Sequence, residues 1–187
     1  MSAISDIPPD PAAEIPEADA EAVARKILLD QLTGQARSRK ELADRLAKKN
    51  VPAALAQRLL DRFEEVGLVD DSAFARSWIA SRGASGGRAL ARRALAQELR
   101  RKGIDDDVAR DALAEIDPGD EHEAARALVR RKLRSMGRLE EPAKVRRLVG
   151  MLGRKGYAPG LAFAVVRDEL GDAASGVAEL DVPESDV

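Results

Sequence analysis

Leu95-Ala96-Gln97-Glu98-Leu99-Arg100-Arg101-Lys102-Gly103-Ile104 decides the fold, because its pattern recurs 53 residues earlier and 53 residues later. Leu46, Leu99 and Leu152 hold the central position, with Leu42, Leu95 and Leu148 four residues before them and Lys49, Lys102 and Lys155 three residues after. Leucines at i and i+4 share one face of a helix. Asn50, Gly103 and Gly156 come next, at the place just past a helix end where the backbone turns left-handed, a conformation open to Gly and tolerated by Asn. Val51, Ile104 and Tyr157 then stand where an apolar side chain folds back on the last turn. One helix-ending device used at a fixed period predicts three stacked repeat units.

The composition agrees. Of the 187 residues 44% are hydrophobic, mostly Ala, Leu and Val, with one Trp, one Tyr and three Phe, which suits closely packed helices. The absence of Cys excludes disulfides, thiolate nucleophiles and Cys-ligated metals. No apolar run is long enough to span a bilayer and the acidic, Pro-bearing N-terminus is unlike a signal peptide, so a soluble cytoplasmic protein is expected. The net charge of −2 conceals a segregation. Residues 1–22 and 168–187 hold 13 acids and no base, whereas all 31 Lys and Arg lie between Arg25 and Arg167 with 20 acids, an excess of about +11. Such an excess attracts polyanions or acidic proteins.

The expected fold is all-α, with three tandem three-helix repeats at 19–68, 69–118 and 119–171 forming an elongated, curved array between disordered acidic tails at 1–18 and 172–187. In the first repeat a helix is expected over 21–33, with Val23, Ile27, Leu28 and Leu32 facing inward. Ser38 and Glu41 form a capping box opening the second, and Pro52 lies in the first turn of a third that carries Leu55, Leu59, Leu60, Phe63 and Val66 and stops at Gly67. The second repeat reads as a helix opened by Asp70 or Asp71, a Gly/Ser turn at 81–87, a basic helix over 88–102 and a helix over 106–116, closed by Pro118 and Gly119. Helices over 120–136, 142–155 and 159–170 complete the third, and Gly171 ends it.

Gly67-Leu68-Val69-Asp70-Asp71-Ser72-Ala73-Phe74-Ala75, followed by Trp78, Arg82, a Gly turn and Glu98-Leu99-Arg100-Arg101-Lys102-Gly103-Ile104, resembles the RecX family, whose members carry a G-L-I/V-D-D-x-x-F-A segment leading to E-L-x-x-K-G-I. Ser38-Arg39-Lys40-Glu41-Leu42 is similar to the family's opening helix-turn-helix, and Lys155-Gly156-Tyr157 to its closing K-G-F/Y element. The resemblance covers about residues 22–170; Asn50 stands where Gly is commoner, and neither tail has a counterpart. It implies a monomeric, cofactor-free, non-enzymatic regulator that binds RecA filaments on single-stranded DNA and inhibits the recombinase, within recombination, DNA repair and the SOS response. The residues by themselves also fit a sequence-tolerant module for single- or double-stranded nucleic acid, or a helical scaffold for acidic proteins.

The candidate RecA- or DNA-binding residues are basic. Arg93, Arg100 and Arg101, with Lys102 beyond them, lie opposite Leu95 and Leu99. Arg126, Arg130 and Arg134 form an i, i+4, i+8 stripe joined by Arg131 and Lys132, in a stretch with no acid between Arg126 and Arg138. Arg146, Arg147, Arg154 and Lys155 follow. Arg predominates, as bidentate binding of carboxylate or phosphate favours. Phe74, Trp78, Tyr157 and Phe163 are assigned to the core by their helical spacing, and the lone His122 to solvent. Asp105, Asp106 and Asp107 sit at a helix N-terminus, where acids are expected without a cation. No nucleophile–base pair, metal-ligand spacing or phosphate loop is present in the sequence, so neither catalysis nor a metal is expected.

Overall fold

The computed structural model describes residues 17–84 and 88–179, which form nine α-helices and, among them, no strand. These are α1 (Glu17–Gly34), α2 (Arg39–Ala47), α3 (Ala53–Glu65), α4 (Asp71–Arg82), α5 (Arg92–Arg101), α6 (Asp106–Ala114), α7 (Pro118–Leu133), α8 (Glu141–Arg154) and α9 (Pro159–Glu179).

The middle helix of each repeat ends on the same pair of hydrogen bonds. Val51, Ile104 and Tyr157 donate their N–H to the carbonyls of Leu46, Leu99 and Leu152 at 3.1, 3.1 and 3.2 Å. Asn50, Gly103 and Gly156 each donate to the carbonyl three residues back at 3.0 Å, with φ of 57°, 77° and 90°. That geometry satisfies carbonyls the helix leaves orphaned. Gly67 repeats the cap after α3, with φ of 72° and the Leu68 N–H 2.8 Å from the Phe63 carbonyl.

The chain divides into two units, Met1–Asp70 and Asp71–Val187. In the first, α1, α2 and α3 close around Ala24, Leu28, Leu42, Leu46, Leu55, Leu59, Leu60, Phe63 and Val69. Each fully buried Leu removes enough apolar surface from water to contribute roughly 1.5–3 kcal/mol. Ser38, itself buried, forms the expected capping box: its Oγ accepts from the Glu41 N–H at 3.2 Å and its own N–H donates to Glu41 Oε2 at 3.3 Å. Arg39 then ties the start of α2 to Asp61 and Glu64 of α3, at 2.6 and 2.5 Å. Two assignments differ from the sequence reading. Val23 and Val66, expected in the core, are exposed, because Ala24 and Val69 take the inward positions. α1 also starts at Glu17, a turn before the expected 21.

In the second unit, α4, α5 and α6 pack around Phe74, Ala75, Leu99, Ile104, Ala109 and Ala112. α7, α8 and α9 pack around Leu128, Val129, Leu148, Leu152, Tyr157, Val165 and Val166. The extended segment before α5 joins the two repeats. The Ala91 N–H donates to the Lys155 carbonyl at 2.9 Å, the Tyr157 hydroxyl donates to the Ala89 carbonyl at 3.1 Å, and Ala91 is buried in the core of the third repeat. This explains why α5 begins at Arg92 rather than at 88: tertiary hydrogen bonds hold residues 89–91 out of helix, with Ala89 at φ 46°, against their intrinsic propensity.

Pro118, read as closing the second repeat, instead opens α7. Asp117 Oδ1 accepts from the Gly119 N–H at 2.7 Å, and a first-turn proline lacks only a donor the helix does not use. α6 accordingly stops at Ala114, short of the expected 116. α9 continues past Gly171 to Glu179. The remainder of both acidic tails, 1–16 and 180–187, lies outside the described residues, as does 85–87 of the Gly/Ser turn.

Candidate functional site

The thirteen basic residues singled out in the sequence fall into distinct environments, which separate scaffold from free charge.

Arg126 and Arg130 belong to the scaffold. Both project from α7 onto Glu169 of α9, Arg126 Nε donating to Oε1 at 2.8 Å and Arg130 Nε to Oε2 at 2.7 Å. Glu169 is 4% exposed. Burial alone would raise its pKa, but the hydrogen bonds from Arg130 and Arg126 outweigh that and hold the carboxyl below its usual range. Sequence reasoning set Glu169 among the acids of the C-terminal tail and took the Arg126–Arg138 stretch as uncompensated; the fold supplies the missing acid from a helix about 40 residues on. The signal was present, since Glu169 falls at i+4 from Val165 and i+3 from Val166, on the face those residues bury.

Glu98 of α5 is a second hub that the sequence reading did not identify. Its side chain accepts from the Trp78 indole N–H at 2.8 Å and lies 3.2 Å from Arg82, 3.6 Å from Arg88 and 3.9 Å from Arg101. Trp78 is half-buried and packs against the core of the second repeat, as its helical spacing predicts. It stacks on Phe74 with ring centroids 5.5 Å apart, carries the Arg82 guanidinium 3.5 Å from its ring centre and has Lys102 Nζ 4.4 Å from it. Cation–π contact with Trp78 therefore holds Arg82 and Lys102 at the α4–α5 surface, and Glu98 holds Arg82 as well.

Arg93 and Arg100 border a groove of about 520 Å³ between α5 and α6, floored by Ala96, Ala109, Leu113 and Ala114. Arg100 pairs with Asp106 at 3.0 Å, and Arg110, on the same groove, with Asp107 at 2.7 Å. Arg92 faces this groove too. Its guanidinium donates to the Ile116 carbonyl and lies 3.6 Å from Glu121 of α7, which also accepts from the Arg92 N–H at 3.3 Å.

Lys132, Arg146, Arg147 and Arg154 converge on a groove of about 640 Å³ between α7 and α8, with Met136 and Met151 between them. Arg131 and Arg134 lie on the exposed side of the same α7 terminus. Lys155 donates to the Arg88 carbonyl, and burial together with Arg131 and Arg88 lowers the pKa of its ammonium. Acids engage Arg100, Arg101, Arg126 and Arg130, whereas Arg131, Lys132, Arg134, Arg146, Arg147 and Arg154 form no ion pair with a described residue.

Tyr157 and Phe74 are buried as expected, but Phe163 is 56% exposed and His122 is half-buried rather than solvent-facing. Among the described residues no group of three His, Asp or Glu is placed to hold a metal ion, and no helix is long and apolar enough to cross a membrane.

Three family models match the chain, described as the first, second and third three-helix domains of RecX, over residues 24–63, 70–113 and 120–166. A regulatory protein RecX of Streptomyces lividans is 50% identical over 147 residues, covering 79% of this chain and 77% of that relative. A regulatory protein RecX of Thermobifida fusca (strain YX) is 48% identical over 165 residues, 88% of this chain and 86% of that relative. The crystal structure of RecX from Lactobacillus salivarius superposes with a TM-score of 0.73 at 20% identity, over 81% of this chain and 97% of that one, which shows a shared fold.

Proposed function

The chain belongs to the RecX family of regulatory proteins, and from that membership we propose that it binds RecA filaments formed on single-stranded DNA and inhibits their recombinase activity. As a RecX protein it is a regulator, not an enzyme. In this reading it acts as a cytoplasmic monomer, restraining recombination and repair by occupying the filament rather than by altering either nucleotide or DNA chemically. The observation that carries the reading is the ordered match of all three domains over residues 24–166, which leaves no repeat without a counterpart in the family.

The surface chemistry supports it. A filament of protein on DNA offers carboxylates and phosphates, and the unpaired guanidinium groups of Arg93, Arg131, Arg134, Arg146, Arg147 and Arg154 suit both. Arg100, Arg101, Lys102 and Lys155 already contact groups of their own repeat or the preceding one, so they contribute to the field more than to direct grip. Arg126 and Arg130 position α9. Immobilised full-length protein should retain RecA from a mixture containing single-stranded DNA and a non-hydrolysable ATP analogue. Passage of RecA through the matrix at low salt would overturn the proposal.

A further inference from the structure

The groove between α7 and α8 gathers four cations that no described residue neutralises. Lys132 stands on α7 and Arg146, Arg147 and Arg154 on α8, no carboxylate lines the groove, and none of the four pairs with a described residue. The contrast with the α5–α6 groove is direct, because there Asp106 and Asp107 engage Arg100 and Arg110. Four like charges around one groove repel each other, and an incoming polyanion relieves that repulsion. Arg131 and Lys155, next in sequence to Lys132 and Arg154, carry the positive field on toward Arg88.

The groove also has an apolar component. Met136, 4% exposed, and Met151, half-buried, lie between the cations, so an occupant must present apolar, polarisable surface as well as negative charge. Thioethers favour aromatic partners, and guanidinium planes stack on them. Inorganic phosphate has no such face, and duplex DNA keeps its base faces stacked inside the helix. Acidic peptide side chains end in carboxylates without a ring. We infer that the α7–α8 groove binds single-stranded nucleic acid directly, with backbone phosphates on Lys132, Arg146, Arg147 and Arg154 and a base face against Met151. This binding needs no RecA, so it stands or falls separately from filament inhibition.

The test is fluorescence anisotropy of the full-length protein with a labelled oligothymidylate at several salt concentrations. R146A/R147A/R154A should lose about tenfold or more in affinity, and the magnitude of its log–log salt slope should fall by about 2, as expected for three lost phosphate contacts on a single strand. R62A/R76A/R110A, which removes the same charge from guanidinium groups that Glu65, Glu115 and Asp107 already engage, should bind within about twofold of the wild type. Circular dichroism checks that helicity is retained; should the triple variant lose it, the single variants R146A, R147A and R154A carry the same comparison. M151A should weaken binding to oligothymidylate without changing binding to inorganic polyphosphate. Three results would each overturn the inference: unchanged affinity of the helical groove variants, equal affinity for a duplex of the same length, or displacement of the oligonucleotide by polyglutamate at equal charge.

Discussion

Gly156 meets two demands at once. Its φ of 90° is open to glycine and strained for other residues, and a Cβ built there would lie 2.5 Å from the backbone nitrogen of Ala94 on α5. Gly67 shares only the first demand, having a φ of 72° and open space around it. Gly67→Ala should therefore cost about 1–2 kcal/mol, the usual penalty of a left-handed L-residue. Gly156→Ala should cost about 2–5 kcal/mol, because overpacking adds to the strain and the second and third repeats are forced apart where Ala91 and Lys155 bond. Thermal and urea unfolding of the two variants side by side measure the difference, and equal losses would show that the contact with Ala94 relaxes freely.

At the scale of the element, the Glu169 clamp fixes α9 against α7. Cutting it with Glu169→Gln leaves two guanidinium groups facing a neutral amide, with an expected loss of about 2–3 kcal/mol, below the usual figure for a broken buried pair because Arg130 is half exposed. The folded-state pKa of Glu169 is depressed, so its contribution is fully present above the unfolded-state value of about 4.3 and is lost as pH falls through the lower folded value. The wild type should therefore lose stability below about pH 4 more steeply than Glu169→Gln, as pH-dependent thermal melts would record. R126A/R130A should likewise lower stability, whereas R146A/R147A/R154A should melt like the wild type; equal melting of both variants would remove the division between scaffold and free charge. That division was only half legible in the sequence. The Ser38 box and the triple Asn/Gly cap are local, decided by residues within five positions of one another, and they appear where the pattern placed them. The partners of Arg126 and Arg130 come from 43 and 39 residues away, and the late start of α5 is set by Lys155 and Tyr157, so neither could be read from a local window. Glu98 was in plain view, but its role as a hub depends on α4 lying against α5, which brings Trp78 and Arg82 to it.

For the molecule as a whole, the excess of positive charge between Arg25 and Arg167 is a poor guide to function until internal pairing is subtracted. Part of what remains is gathered at the groove between α7 and α8 of the third repeat, lined by Lys132, Arg146, Arg147 and Arg154. If this remainder serves filament binding as well as single strands, inhibition of RecA should weaken with rising salt and in R146A/R147A/R154A, and it should be little changed in R100A, whose charge Asp106 already engages. The central claim, that the chain restrains RecA without chemistry of its own, is tested most directly by titrating it into preformed RecA filaments on single-stranded DNA and following ATP hydrolysis. The account predicts that turnover falls as the protein is added and that the protein alone hydrolyses nothing. Undiminished turnover with the protein in molar excess over RecA would contradict it.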